Sequence, residues 1–568
     1  MVRYSFHFYG VFSLAIFYVN LRRILVIFKH FNIDKYVFIP TILIFAVVSA
    51  ILIMGGASLQ GFLTVALAWI TKQMGWAYMM IYIVNFIFFM WLLFSKYGAI
   101  RLGDPHSTPQ YSNLQWGSMV FATAIDASIL MLSIVDPIRY VSSPPFGIKP
   151  FSQNAYNYAH MLGQFDWGPM AWMMYAPAAI AIGYILFVKK GHVQRLSRSI
   201  TFIQGDEKWK YALRQIVDFL VVFGIMGGVG SSVGMEIPII SNVLSSLTGL
   251  PDNMLLKIGL FGILFVIFAW TVWHGLNGGI DKLSDMHIWT AIIFLAFVLL
   301  VGPTIYILSS ETNSLGLLTS NFVSLSTNTV PNGTPDIANS EVIFYWGWWL
   351  AYMPVMGLFI ARISKGRTIR QILLGMLGYG SAGCLSFYAI LGGYSLWLQK
   401  TGAVNLVHIL NTKGQEAVIT SVLSTLPFKS VVFIVYCISC FIFLATTISS
   451  SAFIVSSFTS LNLKENQEPS QFNRMTWVVI FVLFSFGIVV VGGFNTVETF
   501  CAISGFPLMF VCIMILISIY HMVKNDEGIV LKAKGMDDMR IEKKKEKMQR
   551  IRAKRMAARL NRNTDDDD

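Results

Sequence analysis

The chain has 568 residues, of which 55% are hydrophobic and only 12% charged. Apolar runs of bilayer length recur along it without the alternating polarity of barrel strands, which excludes a β-barrel and reads as an all-α polytopic membrane protein. The net charge of +13 does not point to nucleic acid, because Lys and Arg fall in alternate loops and in the tail, the positive-inside pattern.

The first apolar run, Tyr9 to Asn20, is too short to span and leads into Arg22, Arg23 and Lys29. It lacks the small-residue cleavage site of a signal peptide, so residues 1–33 are expected to form an interfacial segment on the cytoplasmic face. Twelve spans follow, at roughly 36–57, 74–95, 113–137, 169–189, 214–235, 254–275, 285–308, 342–363, 371–397, 430–455, 476–493 and 500–523. The loops carrying Arg101, Lys189 to Arg198, Arg362 to Arg370, and Lys464 to Arg474 fall on one side, which is therefore cytoplasmic. The connection Ser309–Glu341 falls on the other side and contains no Lys or Arg. An even span count leaves both termini in the cytoplasm. Residues 34–524 thus form a transporter-sized membrane domain, and 525–568 a basic cytoplasmic tail suited to anionic lipid.

The five cysteines include a CxxC pair, Cys437 and Cys440, but with no second pair or nearby His they read as buried thiols. The nine His are scattered without ligand spacing, which argues against a membrane enzyme. No filter-like repeated element supports a channel.

The eighth span is the most informative. Trp346, Trp348, Trp349 and Tyr352 lie on one apolar segment, and rings at i, i+1 and i+4 share roughly one helical face. Converging aromatic faces in a low-dielectric setting form a cage for a quaternary ammonium, although aromatic residues also gather at any membrane interface.

Phe344–Trp349 (FYWGWW) followed by Ala361–Gln371 (ARISKGRTIRQ) resembles the eighth-helix signature of the betaine/carnitine/choline transporter family. Leu283–Asp285 with Val301–Thr304 is similar to the seventh helix. Ser142–Gly147 and Asp166–Trp172 resemble the carnitine/γ-butyrobetaine antiporter branch. The resemblance implies LeuT-like inverted five-helix repeats, about 113–308 and 342–523, with two leading helices, and a homotrimer. It implies a substrate cage of Trp167, Trp348, Trp349 and Tyr352, with Met356 one turn further.

Three departures accompany the match. Asp126 stands in Ala124–Ser128, where sodium-coupled members have a Gly-rich break; its carboxylate suits a proton site, a sodium ligand, a counter-charge to cationic cargo or a structural partner of a base. Asp281 stands where the carnitine antiporter carries an Arg that substitutes for sodium, while Thr446 and Thr447 match paired hydroxyl ligands, a set suited to a hard cation. Arg139 replaces a substrate-facing Tyr, to clamp a carboxylate or to snorkel outward. Glu236, beside Pro238, is a further candidate intramembrane acid, close enough to the end of its span to be interfacial, and Gly227, Gly228, Gly230 and Gly234 read as close-packing positions.

The expectation is a secondary transporter of a zwitterionic quaternary ammonium compound (carnitine, glycine betaine or a relative). It works by alternating access in the cell inner membrane, coupled to a cation with sodium ahead of proton, and needs no cofactor. The alternative is a sodium-independent exchanger of the carnitine/γ-butyrobetaine type.

Overall fold

In the computed structural model every long apolar run is helical, and the described residues contain no β-strand beyond two isolated bridges, Ile33 to Ser460 and Arg101 to Thr368. The structure describes residues 32–54, 57–123, 127–191, 195–274, 281–330, 337–461, 463, 467–491, 494–525, 546 and 548–550, with only the backbone of 281–288. The N-terminal segment, Asp126 and most of the basic tail lie outside them.

Two leading helices, α1 (Lys35–Ile53) and α2 (Ala57–Phe94), precede the first group. Asp34 caps α1 by accepting the Tyr36 amide, which satisfies one of the unpaired first-turn donors. The group that follows comprises α3 (Asn113–Thr123), α4 (Ala127–Ser142), α5 (Gln153–Trp167), α6 (Pro169–Gly183), α7 (Lys208–Thr248), α8 (Met254–His274) and α9 (Asp281–Val301). After α10 (Thr304–Thr327) come α11 (Ile337–Ile363), then α12 (Ile369–Gly375), α13 (Ser381–Phe387) and α14 (Gly393–Thr401). The last three are joined by π-helical turns at Met376–Gly380 and Tyr388–Gly392. Two short helices, α15 (Leu406–Lys413) and α16 (Gln415–Ser424), lead to α17 (Lys429–Phe458), α18 (Gln471–Val491) and α19 (Phe494–Asn525).

Ten helices among the described residues are long and apolar enough to cross a bilayer. The other two expected spans are not among these ten. The third contains α3 and α4, with residues 124–126 between them outside the described ones. The seventh is α9, which turns by 111° into α10 at Gly302 and Pro303. Proline lacks an amide donor and cannot continue a helix smoothly, and a Cβ at Gly302 would lie 2.7 Å from the Val298 carbonyl.

Two expectations need correction here. The connection 309–341 is mostly helix: α10 lies along α5, where His160 Nδ1 meets Ser314 Oγ at 2.7 Å and the Tyr158 hydroxyl donates to Asn321 Oδ1 at 3.2 Å. Its freedom from Lys and Arg reflects that packing as well as its side of the membrane. Glu236 is not interfacial; it is 3% exposed within α7 and accepts a 2.7 Å hydrogen bond from Ser128 at the start of α4.

The glycines of α7 serve close packing. A Cβ on Gly227 would meet Ser504 at 2.5 Å, on Gly230 the Phe484 ring at 2.5 Å, and on Gly234 the Ile488 side chain at 2.7 Å. Small residues let backbones approach where no hydrophobic drive separates helix from lipid. All five cysteines are buried free thiols.

The basic loops meet at one end of the bundle. Arg101 donates to the Gly366 carbonyl, and the Leu102 amide donates to that of Arg367 at 2.8 Å. Arg195 pairs with Asp34 and Asp218 at 2.8 and 3.2 Å and donates twice to the Ser460 carbonyl. The opposite end carries no such basic cluster among the described residues.

Candidate functional site

Helix α11 sits at the centre, packed mainly on α6 and α19 and then on α7. Its aromatic residues at i, i+3, i+4 and i+7 are Tyr345, Trp348, Trp349 and Tyr352, which a 3.6-residue period places on one face. The rings of Trp348 and Trp349 are parallel, tilted by 4° with centroids 5.4 Å apart. Tyr352 stands edge-on to Trp348 at 6.1 Å, and its hydroxyl meets Ser232 Oγ of α7 at 2.8 Å. A Cβ on Gly228 would lie 3.2 Å from the Tyr352 ring, so that ring is seated on bare backbone.

Trp167 comes from the other side, as the last residue of α5, at the break within the candidate span Gln153–Val188. Gly168 and Pro169 interrupt the helix there, and Pro169 removes a donor that would have continued it. The terminal carbonyls of α5 are therefore open to side chains. Trp349 Nε1 donates to one of them, Asp166 O, at 2.9 Å. Trp167 stands nearly perpendicular to both indoles of α11, at 5.6 Å from Trp348 and 4.8 Å from Trp349. All four expected cage rings are thus buried and contiguous, 7% exposed at most.

They are also in mutual contact. Trp167 and Trp349 touch edge to face with centroids 4.8 Å apart, so a cation on this cluster meets their outer faces or takes the place of that contact. Within this apolar volume the indole N–H groups of Trp167 and Trp348 have no hydrogen-bond partner among the described residues.

The remaining expected residues are placed less closely. Met356, part-buried, is one turn beyond Tyr352 on α11. Trp346 faces away from the cluster, against Tyr82 of α2 and Phe165 of α5, at 5.1 and 5.7 Å. Thr446 and the part-buried Thr447 lie on α17, where the Thr446 hydroxyl donates to its own helix at Phe443 O. Asp281 begins α9 but its side chain lies outside the described residues, as does Asp126, so the cation site is not assembled by this structure.

Arg139 is engaged by acids rather than by the four rings. Its Nη2 donates to Glu341 and to Glu498, and Asp136 Oδ1 is 4.0 Å from its Nη1. Asp136 is fully buried and accepts hydrogen bonds from Tyr345 at 2.6 Å and Tyr388 at 2.7 Å, both of which touch Trp167. Asp166, the residue before Trp167, accepts from Tyr140 at 2.7 Å. Sequence reasoning missed these acids and tyrosines. The signal that could have found them is an acid inside an apolar span, which is costly enough to mark a site.

A bundle whose helices break around a buried aromatic cluster, one turn below a buried ionic network, is built for transport rather than catalysis. The comparisons agree. The model of the betaine/carnitine/choline family transporters matches residues 36–528, nearly the whole chain, and the chain belongs to that family. The uncharacterised transporter YeaV of Escherichia coli (strain K12) is 30% identical over 429 residues, covering 75% of this chain and 88% of that protein. A solved sodium-coupled sialic acid symporter, in its substrate-bound outward-open state, aligns over 77% of this chain and 85% of its own, at 11% identity and a TM-score of 0.43. That likeness is too loose to transfer any residue's role. The protein is accordingly a multi-pass secondary transporter and not an enzyme.

Proposed function

We propose that the protein carries a zwitterionic quaternary ammonium compound, carnitine or glycine betaine being the type, by alternating access. The observation that carries this is the convergence of Trp167 with Trp348 and Trp349 from two separate helices. A permanently methylated nitrogen donates no hydrogen bond, so electron-rich ring faces are the means of holding it out of water. The buried indole N–H groups of Trp167 and Trp348 are donors for the carboxylate end, which Arg139 does not serve because Glu341 and Glu498 hold it. Cation occupancy would drive transport by favouring the cage-competent state. Asp281, Thr446 and Thr447 remain the proposed sodium site, with Asp126 a separate candidate for substrate contact or coupling. A homotrimer in the inner membrane, with both termini cytoplasmic and the tail on anionic lipid, completes the reading.

The test is uptake of labelled carnitine, glycine betaine and choline into proteoliposomes, with and without a sodium gradient. Concentrative uptake of a methylated substrate, lost in Trp349→Leu, is expected. No uptake of any of the three, or normal affinity in Trp349→Leu, would overturn the assignment.

A further inference from the structure

We propose that the carboxyls of Glu341 and Glu498, held on Arg139 one turn above the aromatic cluster, bind a coupling proton, and that this proton releases the tie between α4, α11 and α19. The proposal rests on the transporter reading and names a second ion and its place.

Three separate segments meet at the end of the bundle away from the basic loops. Arg139 is in the last turn of α4, Glu341 in the first turns of α11, and Glu498 in the first turns of α19. Both glutamates accept from the same guanidinium nitrogen, Nη2. With Asp136, one positive charge faces three carboxylates, on side chains 15%, 5%, 18% and 0% exposed. Like charges crowded on one nitrogen in a low-dielectric setting do not all stay ionised. Among the described residues no other cation pairs with these acids.

A second observation also points to a missing positive group. Asp136 Oδ1, turned towards Arg139, and Glu341 Oε2 are buried acceptors without a hydrogen-bond partner. A metal ion could supply the charge, but a hard cation needs several oxygens turned towards it. Among the described residues no three acidic, His or Cys side chains are arranged to hold one. Two carboxyls on one nitrogen can instead share a proton, which needs no further ligand.

The coupling to the cage is geometric. On α11, Glu341 is one turn from Tyr345, which donates to Asp136, and the next turn carries Trp348 and Trp349. Tyr388 donates to the same Asp136 oxygen, and Tyr140 donates to Asp166 beside Trp167. A proton entering from outside adds to one glutamate oxygen and neutralises it. Arg139 then loses a charge-assisted bond, and α4 separates more readily from α11 and α19. The sign is set: lowering the outer pH opens this end.

Hydrogen exchange on the full-length protein in proteoliposomes tests the site without cargo. After correction for intrinsic rates, exchange at the start of α11 and α19 should rise about ten-fold between about pH 8 and about pH 5.5. Glu341→Gln and Glu498→Gln keep an acceptor on Arg139 but cannot take the proton, so each should exchange at a pH-independent rate. An acid-outside gradient should drive concentrative uptake in the wild type and not in either variant. A pH-independent rate in the wild type would overturn the proposal, as would sodium-driven uptake that Glu341→Gln leaves intact. If pH-dependent opening occurs and the glutamine variants abolish it, while no methylated compound moves, the proton site stands and the cargo assignment falls.

Discussion

Trp349 donates its indole N–H to the backbone carbonyl of Asp166, 2.9 Å away, and so ties the aromatic face of α11 to the broken end of α5. The bond exists because Gly168 and Pro169 leave that carbonyl outside the helix ladder. It orients the ring against Trp167 and separates two properties of Trp349, its face and its anchor. Trp349→Phe keeps an aromatic face and loses the anchor. Its apparent substrate affinity should fall about ten-fold, the value of one buried hydrogen bond, whereas Trp349→Leu should show no saturable uptake. Initial-rate kinetics in proteoliposomes check both.

Trp346 and Trp348 are two residues apart and should fail in different ways. Trp346 packs on Tyr82 and Phe165 away from the cluster, so Trp346→Ala should cost about 3–5 kcal/mol of stability through the cavity it leaves. Trp348→Tyr keeps most of the packing and an aromatic face but removes the unpartnered indole donor. It should express normally and lose several-fold affinity for a zwitterion, with a smaller loss for choline. Thermal aggregation in detergent and competition uptake distinguish the two.

Gly228 and Gly230 provide a similar contrast. A Cβ at Gly228 would press on Tyr352 at 3.2 Å and on Ala351 at 3.1 Å, which tilts a cage ring. Gly228→Ala should therefore raise KM while protein yield holds. A Cβ at Gly230 would strike Phe484 at 2.5 Å, a packing conflict costing about 1–3 kcal/mol. Gly230→Ala should lower the melting temperature and leave the KM of the surviving protein unchanged.

At the other end, Arg195 is 6% exposed and neutralises Asp34 and Asp218 together. Arg195→Ala leaves two buried carboxylates without a counter-charge, a loss of about 3–5 kcal/mol. Arg195→Lys should recover only part of it, because an ammonium cannot span both acids and the Ser460 carbonyl. Thermal unfolding in detergent at fixed lipid content measures the ordering wild type, then Lys, then Ala.

The membrane class was legible in the chain, because a bilayer demands long apolar helices and that demand is local to each run. That the rings of α11 share a face was legible through helical periodicity, and their meeting with Trp167 through a family resemblance. The acids around Arg139 were not read as a unit. Asp136, Glu341 and Glu498 are scattered over more than 360 positions, and nothing local says that they face one guanidinium. The course of α10 was also misjudged, since a polar helix lying on α5 has the composition of a loop.

By itself, the sequence determined that the chain is a helical membrane protein, since hydropathy acts residue by residue against a fixed slab of lipid. Only the tertiary structure decided that the rings touch and that one arginine answers three carboxylates. Those facts depend on which helices pack together, and packing is a property of the whole bundle rather than of any segment in it.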